Sequence, residues 1–180
     1  GIPRELEDVD VLYVHGWSDY FFQKDLARFF TSRGARFFAL DLRKYGRSLR
    51  EGQTFGYTED LQDYDAEINA SVEIIRADRS QAGLRITGGA QQRKFVVLGH
   101  STGGLILTLW ADRHRGVADA LVLNSPWLDL QVSGAVRRAI LPVIQLQARY
   151  NPHEITLPQL DLGFYAQAQH ANCSPEEISG

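Results

Sequence analysis

Lys94 to Gly104 reads KFVVLGHSTGG, an apolar run that passes directly into Gly99-His100-Ser101-Thr102-Gly103 and from there into a second apolar stretch. This order predicts a buried strand over Phe95 to Leu98, a sharp turn carrying Ser101, and a helix from Leu105 to Trp110 that closes through Ala111 to Arg115 before Gly116. A serine on a strand-to-helix turn flanked by glycines is the G-x-S-x-G arrangement that presents a nucleophile above a sheet. The glycines have a steric task, because residues flanking such a serine crowd the neighbouring backbone. Ten serines and sixteen glycines in 180 residues give about 0.08 chance matches to this pattern. The weight therefore rests on the strand and helix around it.

Outward from the turn, apolar strands alternate with amphipathic helices. Val9 to His15 and Ala35 to Leu42 read as strands, Phe21 to Phe30 as a helix, and Ala120 to Asn124 as a fourth strand. Asp60 to Asp78 reads as a longer helix, with Leu61, Tyr64, Ile68, Val72 and Ile75 at three- and four-residue spacings. Strands separated by helices predict a parallel α/β sheet with right-handed crossovers and helices on both faces. The loop from Arg43 to Tyr57 then falls at the carboxyl end of a strand, where ligands bind in such sheets. After Pro126 no buried strand is evident. Val136 to Tyr150 is amphipathic and interrupted by proline, so 127–180 reads as a helical excursion following a core at 1–126.

Composition narrows the function classes. The chain is 44% apolar and 11% aromatic, enough for one domain with a real core. A net charge of −3 with interspersed signs leaves no footprint for nucleic acid or an anionic membrane. The local cluster Arg43, Lys44, Arg47 and Arg50 reads as a solvated loop. The single Cys173 cannot form an internal disulfide, which makes the cytoplasm the default expectation. No apolar run reaches the length of a membrane span, and no signal peptide opens the chain. Because the chain starts at Gly1 and contains no methionine, an N-terminal portion, with any targeting segment in it, is expected to be missing. No histidine and acid cluster has metal-ligand spacing, so no metal or cofactor is implied. The oligomeric state is not legible.

A serine nucleophile needs a base and donors for the developing oxyanion. The backbone N–H of Thr102, at the positive end of the following helix, is one candidate donor. The loop His15-Gly16-Trp17 supplies the other through the N–H of Trp17. The base is harder to find. His100 should point away from the face Ser101 uses, and His114 lies about 20 Å along the helix at 1.5 Å per residue. His153 and His170 sit in the tail. Asp41 is expected to fix its own loop, and Asp129 is the one acid near the right sheet edge.

Tyr13-Val14-His15-Gly16-Trp17, Asp41-Leu42-Arg43-Lys44-Tyr45-Gly46-Arg47-Ser48, Gly99-His100-Ser101-Thr102-Gly103-Gly104 and Asn124-Ser125-Pro126 together resemble the α/β-hydrolase superfamily. Within it they are most similar to the lysophospholipase, monoacylglycerol lipase and serine aminopeptidase group, over about Asp10 to Leu130. The resemblance implies Ser101 as nucleophile, the Trp17 and Thr102 N–H groups as oxyanion donors, and the start of a cap or lid from Trp127. It also implies hydrolysis of a carboxylic ester with a lipid-like acyl group, to which Trp127, Leu128, Ile140, Leu141, Val143 and Ile144 would be suited, as they would equally be to the core of a lid. Members of this group place the triad acid and histidine after two later strands, beyond the cap. This chain is therefore expected to be part of a longer protein that carries both. Peptide or amide hydrolysis is an alternative, as is a catalytically silent homologue acting as a binding module or subunit. An aspartate-nucleophile chemistry is disfavoured by serine at position 101.

Overall fold

The computed structural model describes residues 5–81, 93–128, 134–151 and 153. The chain divides into two units, Gly1–Asp129 and Leu130–Gly180.

The first unit is built on four parallel strands, β1 (Val9–Val14), β2 (Arg36–Leu40), β3 (Lys94–His100) and β4 (Ala120–Asn124), in the order β2-β1-β3-β4. Helices α1 (Lys24–Thr31), α2 (Asp65–Gln81) and α3 (Thr102–Arg113) connect them. The chain moves from β1 outward to β2, then back across β1 to β3 and β4. With right-handed crossovers, a reversal of direction puts the connecting helices on opposite faces. The packing follows that rule. Val11, Tyr13, Phe37, Val96 and Leu98 pack against Leu26 and Phe30 of α1. Leu12, Val14, Phe95 and Val97, offset by one residue, pack against Ile68, Val72 and Ile75 of α2 and Ile106, Leu107 and Trp110 of α3. Strict alternation along β1 and β3 thus feeds two cores. Each of the fully buried α2 side chains contributes about 1.5–3 kcal/mol.

The element ends depart from the sequence reading for local reasons. The first helix begins at Lys24 rather than Phe21, because the Phe21 N–H donates to Asp41 Oδ1 at 3.0 Å and its ring packs on Tyr13 and Phe37. The helix expected over Asp60 to Asp78 opens as a 3-10 turn at Leu61–Tyr64, where the Asp60 side chain accepts the Gln62 N–H, before α2 proper. The third helix starts at Thr102, directly after Ser101, not three residues later. The strand after α1 stops at Leu40 instead of Leu42, since the Leu42 N–H turns to His15 Nε2 at 3.0 Å.

At the amino end of the sheet, Asp10 is fully buried in β1. Arg36, its register partner on β2, holds it with two hydrogen bonds of 2.8 and 2.9 Å, and Arg93, just before β3, adds a third at 2.9 Å. This clamp ties three strands together. Removing the carboxylate would leave two mostly buried guanidinium groups facing each other. Asp10→Ala is expected to cost about 3 kcal/mol, at the low end for a broken buried pair because both arginines keep some solvent access; a urea unfolding midpoint checks it.

The second unit contains α4 (Gly134–Tyr150), with Pro142 inside it, so the carbonyl one turn earlier receives no helical N–H there. Leu141, Val143, Leu146 and Tyr150 are exposed on it. Among the described residues, no helix is long and apolar enough to cross a membrane.

Candidate active site

The strand order reverses between β1 and β3, so the carboxyl ends of these two strands form the topological switch point of the sheet. That is where ligands settle in open α/β sheets. The backbone there is strained. Among the described residues, four that are not glycine have positive φ, Ser18, Lys44, Ser101 and Ser125, and one follows each of the four strands. Strain of this kind, about 1–3 kcal/mol per residue, persists only where the surroundings enforce it.

Ser101 has φ 51° and ψ −119° and is the N-cap of α3. Backbone bonds enforce that geometry. Its N–H donates to the Asn124 carbonyl at 3.0 Å, and its own carbonyl accepts the N–H groups of Gly104 and Trp127, each at 3.0 Å. The turn is thereby anchored to the end of β4. It is also closed sterically. A Cβ at Gly99 would stand 2.7 Å from the Gly103 carbonyl and Gly104 backbone, and one at Gly103 would stand 2.3 Å from the His15 carbonyl oxygen. A Cβ at Gly16 would come within 2.9 Å of Ser101 Cβ. The loop after β1 therefore lies directly against the serine.

On that loop, no backbone or side-chain acceptor among the described residues takes the N–H of Trp17, and the same holds for Thr102 at the first position of α3. The Thr102 hydroxyl is buried without a hydrogen-bond partner among the described residues. His15 is fully buried and braces the loop with both ring nitrogens. Nε2 accepts the Leu42 N–H, so Nδ1 carries the proton and donates to the Gly16 carbonyl at 2.8 Å. His100 Nδ1 bonds Asn124 Oδ1 at 2.7 Å, which ties the residue before the serine to the end of β4. His114 is taken up at the far end of α3 by Asn69 and the Trp110 carbonyl. His153 is exposed in the second unit, whereas Asp129, Ile140's side chain, His170 and Cys173 lie outside the described residues.

Asp41 does more than fix its own loop. It joins the 41–48 segment to Phe21 through Oδ1 and holds Arg47 Nε at 2.6 Å through Oδ2. Burial pushes its carboxyl up, but the bonds from Arg47 and the Phe21 N–H outweigh that and hold it below the usual carboxylate range. A depressed folded pKa contributes stability above the unfolded value, near 3.8, and loses it as pH falls through the folded value. Asp41→Asn is therefore expected to cost about 1 kcal/mol at neutral pH, with the gap to the parent closing below about pH 4. Denaturation curves at pH 7 and pH 3 read this. The rest of the basic cluster is also spent on the loop: Arg43 pairs with Glu67, Lys44 donates to the Tyr57 carbonyl, and Arg50 to the Arg47 carbonyl.

The anchoring of Ser101 by Asn124 and Trp127 escaped the sequence reading, as did the aromatic packing around Trp17. Trp17 meets Tyr45 and Phe55 edge-on, at ring-centroid distances of 5.8 and 6.0 Å. No periodicity links residues 28 and 38 positions apart in two loops.

Compared with known proteins, residues 7–169 match the Hydrolase_4 family, described as serine aminopeptidase, S33. No curated protein matches the sequence. Among solved structures, the chain is similar to the monoacylglycerol lipase of Paleococcus ferrophilus, with 19% identity, a TM-score of 0.58 and coverage of 84% of this chain and 50% of that one. It is similar to a soluble variant of the Saccharomyces cerevisiae monoglyceride lipase, with 20% identity, a TM-score of 0.61 and coverage of 86% and 48%. A thioesterase domain from the curacin biosynthetic pathway matches with 19% identity, a TM-score of 0.58 and coverage of 97% and 57%. The chain thus spans about half the length of these structures, and the likeness establishes a shared fold.

Proposed function

The chain belongs to the serine aminopeptidase S33 family of α/β-hydrolases, and from that premise we propose that it is a serine hydrolase that cleaves carboxylic esters of lipid-like acyl substrates through an acyl-enzyme on Ser101. The observation that carries this reading is the conformation of Ser101, a strained serine between β3 and α3 with glycines wherever a Cβ would collide. In this mechanism Ser101 Oγ bonds to the carbonyl carbon as its proton passes to a histidine. The oxyanion is held by the N–H groups of Trp17 and Thr102, and the histidine returns the proton to the departing alcohol. Water then cleaves the acyl-enzyme by the same route in reverse roles. Residues 1–126 act as the core and 127–180 as the start of the cap, in the cytoplasm.

The histidine and its acid are proposed to come from a part of the protein beyond the described residues. His15 and His114 each spend both ring nitrogens elsewhere, which supports placing the base outside this core. The same observation favours a second reading, a silent homologue that binds a ligand without turning it over. A fluorophosphonate probe separates the two. One adduct mapped to Ser101, with hydrolysis of a monoacylglycerol, supports the enzyme; an unlabelled, inactive protein supports the binder. Amide hydrolysis is tested in the same assay with an aminoacyl anilide.

A further inference from the structure

The loop that carries the proposed oxyanion donor also carries a large exposed aromatic ring. Trp17 is 48% exposed, yet its indole is held. Tyr45 and Phe55 contact it at interplanar angles of 81° and 80° and contact each other at 5.0 Å and 72°, so three rings stand pairwise edge-to-face. Tyr45, buried below, meets the His15 ring edge-on at 5.1 Å, and His15 is fixed by two hydrogen bonds. Gly56 lets the loop close over Tyr45, since a Cβ there would stand 2.9 Å from the Tyr45 hydroxyl. Phe55 is itself partly exposed at the rim. A chain of packed rings therefore runs from the end of β1 to an open indole one residue from Gly16, which touches Ser101.

An exposed tryptophan with no partner would lose rotamer freedom on binding anything. This one has already lost it, which lowers the entropic cost of a ligand stacking on it. A held aromatic surface favours a planar π-system in offset or edge-on contact over a saturated group of equal size. We infer that the Trp17 indole, held by Tyr45 and Phe55, is a subsite for a planar aromatic group of the substrate, seated beside the carbonyl that Ser101 attacks. The inference rests on the hydrolase reading for the position of that carbonyl. Acyl-chain length is independent of it.

The test uses the full-length protein carrying Ser101→Ala, titrated calorimetrically with 2-naphthol and with decahydro-2-naphthol, which has the same ring skeleton but is saturated and not flat. The expected result is a three- to tenfold preference for 2-naphthol, about the size of one or two aromatic contacts. Adding Trp17→Ala should abolish the preference, and Phe55→Leu, which loosens the indole without removing it, should reduce it. Equal affinity for the two alcohols, no binding of 2-naphthol, or an unchanged preference in both variants overturns the subsite. Fluorophosphonate labelling of the full-length parent protein, run alongside, reports on the hydrolase reading separately. A labelled Ser101 without the preference sinks only the subsite, and the preference without labelling sinks only the hydrolysis.

Discussion

Replacing Ser101 by alanine is expected to lower ester hydrolysis by about 10⁴ to 10⁶ in kcat while leaving the unfolding curve in place. Among the described residues the hydroxyl makes no capping hydrogen bond to α3; the backbone of residue 101 holds the turn through Asn124, Gly104 and Trp127. Alanine keeps the Cβ and so keeps the strain of φ 51°. Ser101→Gly should behave differently. It removes the same proposed nucleophile but relieves a backbone conformation that favours glycine, and it is expected to raise stability by about 1 kcal/mol. Measuring kcat and the thermal midpoint for both variants separates chemistry from strain. Activity retained by Ser101→Ala would end the assignment of the nucleophile. Trp17→Ala should lose far less than Ser101→Ala, because the contribution proposed to catalysis is its N–H. A loss as large as that of the serine variant would mean the indole itself acts on the reacting atoms.

What could be read in the sequence divides along a physical line. The two-faced core was legible because the continuous apolar run from Val11 to Val14 marks a strand covered on both faces, and the three-and-four spacing from Leu61 to Ile75 records which side of a helix faces inward. The strand-turn-helix around Ser101 was legible for the same reason, with glycines marking the tight backbone. Element ends were not. They are decided by single long-range bonds, Phe21 N–H to Asp41 and Leu42 N–H to His15, that link residues 20 and 27 positions apart. The Asp10 clamp was hidden as well, since a buried carboxylate in a strand becomes intelligible only when Arg36 and Arg93 are seen beside it. His15 shows both sides of the line. Sequence put it on the loop beside the nucleophile, but its use of both nitrogens as a brace depends on where β2 ends.

Gly103→Ala is expected to be the most damaging one-carbon change in the core, striking stability and activity together. The added methyl would stand 2.3 Å from the His15 carbonyl oxygen, 2.5 Å from that of Val14 and 2.9 Å from the Val14 carbonyl carbon. These are backbone atoms at the end of the central strand β1, which β2 and β3 hold in register on either side. They cannot swing aside as a flexible side chain could. Relief requires α3 to lift off the sheet or the His15 to Trp17 loop to shift. The first movement opens the contacts of Ile106, Leu107 and Trp110 with the core, and overpacking of this kind costs about 1–3 kcal/mol or more. The second displaces the proposed Trp17 donor from Ser101, where losing one oxyanion donor costs about 10² to 10³ in kcat. Gly116→Ala is the control. That glycine, unlike Gly103, has positive φ, at 81°, but nothing lies within 4 Å of an added Cβ, so backbone strain alone should cost about 1 kcal/mol there with kcat unchanged. If Gly103→Ala unfolds no earlier than Gly116→Ala and hydrolyses ester at the parent rate, then α3 and the loop after β1 are not in the close contact on which the proposed oxyanion site depends.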